Sequence, residues 1–259
     1  MANTPKVLLV IPAYRCEKQL PRVLDEIDDR LAARVAEIAI IDNGSPDNTV
    51  EAALAYKKNG RLKNLHVYQN KDNYSLGGTH KVAFLKATQM GLTHVIILHG
   101  DNQAKSDEAN LLLDYAERHP ESQTVLGSRF SKGSKLKGYD RKRIWGNRTL
   151  NVIYTVMTGR SCQDLGSGLN LFALSDLDQA AYLEFADKLT FNFELLLDLI
   201  KRKVNFAYVP ITWREEDQMS NARNFNIAKI AFINVLQWRL GKTKQPTHTP
   251  ADYQCEERL

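Results

Sequence analysis

The first half of the chain alternates short apolar runs with longer amphipathic ones. Residues 6–12 (KVLLVIP), 37–42 (EIAIID), 65–69 (LHVYQ) and 94–99 (HVIILH) are brief and rich in Val and Ile, the pattern of strands buried on both faces. Between them, 18–35 carries Leu20, Val23, Leu24, Ile27 and Leu31 at helical spacing. A second helix is predicted over 46–59, capped by Ser45 with Pro46 in its first turn and stopped before Gly60. Two more follow, 78–90 closed by Gly91 and 107–119 opened by Ser106 and closed by Pro120. The second half is less regular: strands are expected at 124–127, 169–174 and 204–211, and helices at about 143–157, 191–203 and 226–240. This alternation predicts an α/β fold with a mostly parallel central sheet flanked by helices. No repeat or low-complexity linker divides it, so a single domain is expected over 1–242, followed by a polar tail at 243–259.

Composition narrows the class. With 43% hydrophobic and 25% charged residues, the 259-residue chain falls outside the collagen-like, disordered and disulfide-scaffold classes. The longest stretch without an Asp, Glu, Lys or Arg is 87–100, shorter than the roughly 18 to 20 apolar residues a membrane-spanning helix needs. The first apolar run ends at Pro12 with no cleavage site behind it, so a cytoplasmic location is expected. Cys16, Cys162 and Cys255 have no CxxC spacing, which argues against a disulfide framework or a structural zinc. Basic residues exceed acidic ones by five, and the excess is local: 132–148 holds Lys132, Lys135, Lys137, Arg141, Lys142, Arg143 and Arg148 against Asp140 alone. That run reads either as a solvated loop or as a contact for phosphate, on a substrate or on a membrane surface. Nucleic acid is not expected, because no aromatic-interleaved recognition motif or zinc-finger spacing accompanies it.

Ligands of open α/β sheets bind at the carboxyl ends of the strands. Just after the predicted strands stand Pro12, Ala13, Tyr14 and Glu17; then Asp42, Asn43, Gly44 and Ser45; then His99, Gly100, Asp101 and Gln103. Singly, each has a structural reading: Asp42 and Ser45 as helix caps, Tyr14 as packing, Asp101 as turn chemistry. Together they mark one sheet edge as a polar binding site.

In that order, and with VLGSRF following, these runs resemble the inverting family-2 glycosyltransferases of the GT-A fold, most closely the dolichyl-phosphate mannose synthase and polyprenyl-phosphate glycosyltransferase group. The resemblance extends over about 6–220. It implies a nucleotide-binding half at about 1–130 and an acceptor half at about 131–242. It makes Pro12, Ala13, Tyr14 and Glu17 the wall of the nucleotide base and Asp42 the acceptor of a base N–H, with Gly44, Ser45, His99 and Gly100 also on the donor. It further implies that Asp101 and Gln103 ligate Mg²⁺ or Mn²⁺, a hard cation that neutralises charge on the leaving diphosphate. His99 stands where the family has the first Asp of its metal motif; a neutral imidazole there accepts a ribose hydrogen bond, binds Mn²⁺, or is merely structural. Arg129 corresponds to a phosphate contact beside Ser128, its alternative being an ion pair within the fold. Residues 163–170 resemble the stretch lining the sugar pocket, with Asn170 in place of the usual Arg, and Arg214 and Arg223 stand in for basic residues near the acceptor phosphate, together with Lys135 and Arg141.

Family members that glycosylate hydroxyls carry a general base in an acidic pair, whereas the corresponding region here has Asn192, Phe193 and Glu194. A phosphate acceptor is already anionic and needs no base, so the expected reaction is metal-dependent inverting transfer from a nucleotide-diphosphate-sugar to a polyprenyl phosphate. Two alternatives stay open: a hydroxyl-acceptor enzyme of surface polysaccharide synthesis with Glu194 or Asp164 as base, and a degenerate nucleotide-sugar-binding protein. Peripheral contact with an anionic membrane surface is expected through the basic run and through an apolar stripe, either Val152, Ile153, Val156 and Met157 or Ile227, Ile230, Ala231, Ile233, Leu236 and Leu240; core packing is the competing reading of both.

Overall fold

A computed structural model describes residues 5–215, 224–241 and 246–259. Four parallel strands form its centre: β1 (Val7–Ala13), β2 (Glu37–Asp42), β3 (Leu65–Asn70) and β4 (His94–Leu98), arranged 3-2-1-4. Every residue of β1, β2 and β4 is buried, and alternate side chains serve opposite faces, Leu9 and Ile11 on one and Leu8 and Val10 on the other. The sheet continues beyond β4 with β7 (Leu169–Ala173), antiparallel to both β4 and β5 (Thr124–Ser128), and ends at β8 (Phe206–Pro210), parallel to β5.

The first face is covered by α1 (Leu20–Asp25), α2 (Asp29–Arg34), α3 (Thr49–Lys58) and α5 (Ala109–Arg118), the last preceded by a 3₁₀ turn at Ser106–Glu108. The second carries α4 (Ser75–Gln89), α7 (Gln179–Leu183), α8 (Phe191–Lys201) and side chains of α6 (Arg141–Thr158) and α9 (Asn224–Arg239). A small parallel ribbon of β6 (Lys135–Lys137) and β9 (Thr212–Arg214) lies outside the main sheet. Among the described residues no helix is long and apolar enough to cross a membrane.

Three expectations are corrected. The single helix over 18–35 is two, because the Asp28 carboxylate accepts from Leu31 N at 2.7 Å and starts a new helix. Ser45 does not cap a helix over 46–59; α3 begins at Thr49, and Ser45 belongs to a turn in which Gly44 takes φ +74°. The segment 243–259 is not wholly a polar tail, since β10 (Cys255–Arg258) pairs antiparallel with β3 and Tyr253 is buried.

Candidate active site

At β1 the strand order reverses direction, the place where an open α/β sheet leaves a crevice. A cleft of about 1080 Å³ opens there. It is lined by Pro12 and Ala13 at the end of β1 with Tyr14 just beyond it, Asn43 after β2, and His99, Gly100, Asp101 and Gln103 after β4. Hydrogen bonds lock these turns together: Asn43 N donates to Ala13 O at 2.9 Å, Arg15 N to Ser45 Oγ at 3.0 Å, and Cys16 N to Thr49 Oγ1 at 2.9 Å. Cys16 also lines the cleft, but burial pushes its thiol up to about 12, so it is protonated and not a nucleophile.

Asp101 faces the cleft from a turn in which Asn102 takes φ +60°. Its Oδ1 accepts from Gln103 N at 3.1 Å; Oδ2 and the Gln103 side chain have no hydrogen bond to protein among the described residues. A carboxylate oxygen and an amide oxygen, both uncommitted and both on the cleft, are donors that suit a hard divalent cation. Among the described residues no group of three or more His, Cys, Asp or Glu could hold a metal ion. His99 lines the cleft beside Asp101, and its Nε2 has no hydrogen-bond partner among the described residues. Burial, partly offset by the Asp101 charge and reinforced by Arg129, lowers its pKa and keeps the ring neutral. Behind it, 5.6 Å away, the wholly buried His80 ring is held neutral by burial as well. The His99 ring lies so close to Gly168 that a Cβ there would meet Nδ1 at 2.8 Å.

Several expected contacts are placed differently. Asp42 is fully buried and does not line the cleft; it accepts from Gly44 N at 3.0 Å, Ser45 N at 3.1 Å and Gln69 Nε2 at 3.2 Å, building the turn that presents Asn43. Gly44, Ser45 and Glu17 do not line the cleft either, and Glu17 accepts from Asn48. Arg129 lines it, but its fork grips Asp164: Nε to Oδ2 at 2.8 Å and Nη2 to Oδ1 at 2.7 Å, with the cation 4.9 Å from the Trp213 ring. Burial works against its charge and Asp164 more than restores it, raising the pKa. Ser128 is buried, its hydroxyl accepting from Phe130 N and Ser131 N. Arg214 is held by Glu26 at 2.6 Å and lies away from the cleft. Of the basic run, Lys142 and Arg143 line the cleft, whereas Lys135 and Arg141 are exposed elsewhere. Arg143 in turn reaches Glu215 at 2.5 Å. Arg223 and the rest of 216–223 lie outside the described residues.

Neither candidate base is free. Asp164 serves Arg129 and accepts from Gly166 N at 3.1 Å; Glu194 accepts from Ala186 N at 2.8 Å and Asn234 Nδ2 at 3.2 Å. The acids that line the cleft among the described residues are Asp101 and Asp140, and the Asp140 carboxylate caps α6 through Arg143 N. Residues unanticipated from sequence complete the walls: Asn73, Ser75 and Thr79 around the start of α4, Tyr139 and Asn147 at α6, and Asn192 on α8. Their polar character is ordinary for loops and helix starts, so no signal in the sequence set them apart.

A 241-residue alignment with polyprenol monophosphomannose synthase of Mycolicibacterium smegmatis gives 23% identity, covering 91% of this chain and 87% of that one. UDP-N-acetylglucosamine--dolichyl-phosphate N-acetylglucosaminyltransferase of Methanococcus voltae is 25% identical over 248 residues, 91% of this chain and 97% of its own. Among solved structures, glucosyl-3-phosphoglycerate synthase of Mycobacterium tuberculosis, crystallised with Mn²⁺, UDP-glucose and phosphoglyceric acid, superposes with a TM-score of 0.68 at 14% identity, covering 93% of this chain and 81% of that one; the likeness is one of fold. The profile of glycosyl transferase family 2 matches residues 8–179, two-thirds of the sequence, and the chain belongs to that family of glycosyltransferases.

Proposed function

We propose that the protein transfers a sugar, with inversion, from a nucleotide-diphosphate-sugar to a polyprenyl phosphate at the cytosolic face of a membrane. The observation that carries this reading is the chemistry of the cleft: cation-suited oxygens at Asp101 and Gln103, cations at Arg129, Lys142 and Arg143, and both candidate bases, Asp164 and Glu194, bound to protein partners. A hydroxyl acceptor would gain about 10² to 10⁴-fold from a base, whereas a phosphate acceptor attacks as the anion it already is. The names of the relatives point the same way, since they carry polyprenol and dolichyl-phosphate acceptors.

In this reading the donor lies on the 1–130 half, against Pro12 to Tyr14 and Asn43. Asp101 and Gln103 hold Mg²⁺ or Mn²⁺, which when bound neutralises the charge that grows on the departing nucleoside diphosphate. Arg129, fixed by Asp164, keeps Nη1 without a protein partner among the described residues and directs it at phosphate. Lys142 and Arg143 gather the acceptor phosphate from the 131–242 half and screen its approach to the donor.

The lipid reaches the cleft along α6. One side of that helix lines the cleft through Lys142, Arg143, Gly146, Asn147 and Leu150. On the other side Trp145, Val152 and Val156 recur at i, i+7 and i+11 and are 72%, 61% and 75% exposed, flanked by exposed Arg141 and Arg148. An apolar stripe edged with cations suits an anionic bilayer surface, where each Lys or Arg contributes about 1 kcal/mol.

The test is incubation with UDP- or GDP-sugars, Mn²⁺ and undecaprenyl or dolichyl phosphate. Release of nucleoside diphosphate that depends on the lipid, with sugar label passing into organic solvent, supports the proposal. Release with label confined to the aqueous phase on a hydroxyl acceptor replaces it with the polysaccharide reading, and binding without any metal-dependent release replaces it with a nucleotide-sugar-binding protein.

A further inference from the structure

Segment 246–259 lies beyond the 8–179 span of the family profile, yet it is built into the support of the cleft. Asp187 is the centre of this arrangement. Its Oδ1 meets the Tyr253 hydroxyl at 2.6 Å and Lys81 Nζ at 2.8 Å, and the same hydroxyl is 2.9 Å from Lys81. Its Oδ2 accepts from Thr247 N at 2.9 Å and His248 N at 3.2 Å and pairs with His248 Nδ1 at 2.9 Å. The main-chain oxygen of Asp187 takes Gly77 N at 2.6 Å and Gly78 N at 3.1 Å, in the first turn of α4. Lys81 and Asp187 are both buried, so these bonds form in a medium where an unmet partner is costly.

A second link runs through Tyr74. Its hydroxyl donates to Asp252 O, and its ring lies edge-on to His248 at 5.0 Å and Tyr253 at 5.6 Å. The residues on either side of it, Asn73 and Ser75, line the cleft. Asn73 Oδ1 accepts from Asn43 Nδ2 at 2.9 Å and from Ser75 N at 3.0 Å, joining this wall to the turn after β2. Ser75 takes φ +58°, a conformation a non-glycine residue holds only where its surroundings over-determine it. Tyr74, packed against 246–259, immediately precedes it, while none of 246–259 itself lines the cleft.

We propose that segment 246–259 is a strap that sets Asn73 and Ser75 against Asn43, with His248 and Tyr253 as positioning residues for the nucleoside diphosphate part of the donor. The inference rests on the reading of the cleft as a nucleotide-sugar site. It predicts that loosening the strap weakens the donor end of the cleft without disturbing the metal-bearing turn after β4.

The experiment is calorimetric titration of the full chain with UDP and with GDP in Mn²⁺, on wild type, Y253F, H248A, H248N and the Y253F/H248A pair, at a temperature where thermal melts show each variant folded. Y253F keeps the ring packing and removes only the hydroxyl, so it remains informative if the double variant does not fold. Expected is a loss of about tenfold in affinity for the bound nucleotide in the double variant, a smaller loss in Y253F and H248A, and recovery in H248N, whose amide replaces the Nδ1–H donor. Unchanged affinity in folded Y253F and H248A, or a loss in H248A that H248N does not restore, overturns the strap. Failure of wild type to bind either nucleotide overturns the functional reading and the strap with it.

Discussion

Arg129 and Asp164, 35 residues apart in sequence, form a two-pronged ion pair in which the carboxylate also accepts the Arg129 backbone N–H at 2.8 Å. The pair ties the end of β5 to the loop before β7, and both side chains are buried. Asp164→Ala therefore strands a buried cation, and a loss of about 3–5 kcal/mol in unfolding free energy is expected. Urea denaturation measures it. Were Asp164 a solvent-facing base, Asp164→Asn would instead abolish turnover at unchanged stability.

Asp101→Ala is expected to remove activity and cation binding together, with no fall in melting temperature, because the carboxylate makes one hydrogen bond to the protein and faces the cleft. Titration of Mn²⁺ in the presence of nucleoside diphosphate is the direct readout. Retention of most turnover at saturating Mn²⁺ contradicts the assignment.

The burial of Asp42 gives its substitution a different signature. Asp42→Ala removes the acceptor of Gly44 N, Ser45 N and Gln69 Nε2, partly solvated donors whose hydrogen bonds are each worth a net ~0.5–1.5 kcal/mol. A lower unfolding midpoint is expected alongside weaker nucleotide binding. A pure binding defect at full stability would mean that Asp42 meets the base directly.

Trp145, Val152 and Val156 are already exposed, so changing all three to Ser is expected to leave the melt within about 0.5 kcal/mol of wild type. The same variant should no longer sediment with anionic vesicles at low salt, and wild type should be released as ionic strength rises. Equal sedimentation of both proteins would remove α6 as the lipid-facing helix.

The strands were legible in the sequence because a strand buried on both faces must be apolar throughout, and β1, β2 and β4 begin or end within a residue of their apolar runs. The division of 18–35 was not, since the apolar spacing from Leu20 to Leu31 runs straight through the break that Asp28 makes. Strand β10 escaped notice for a related reason: an edge strand with exposed Glu256, Glu257 and Arg258 has no hydrophobic alternation to betray it.

From the order of its apolar runs and the residues that follow them, the sequence alone determined the α/β class, the sheet edge that carries the cleft, and the family. Both the strand period and the turn chemistry are local properties, readable within a dozen residues. Only the tertiary structure decided which polar groups remain available to a ligand. Asp42, Asp164, Glu194 and Arg214 look alike as candidates along the chain, but a charged group's availability depends on partners brought together by folding, such as Glu26 for Arg214 across 188 residues. Burial makes those partnerships obligatory, so the fold commits such groups before a substrate arrives, and leaves Asp101 and Gln103 uncommitted at the cleft.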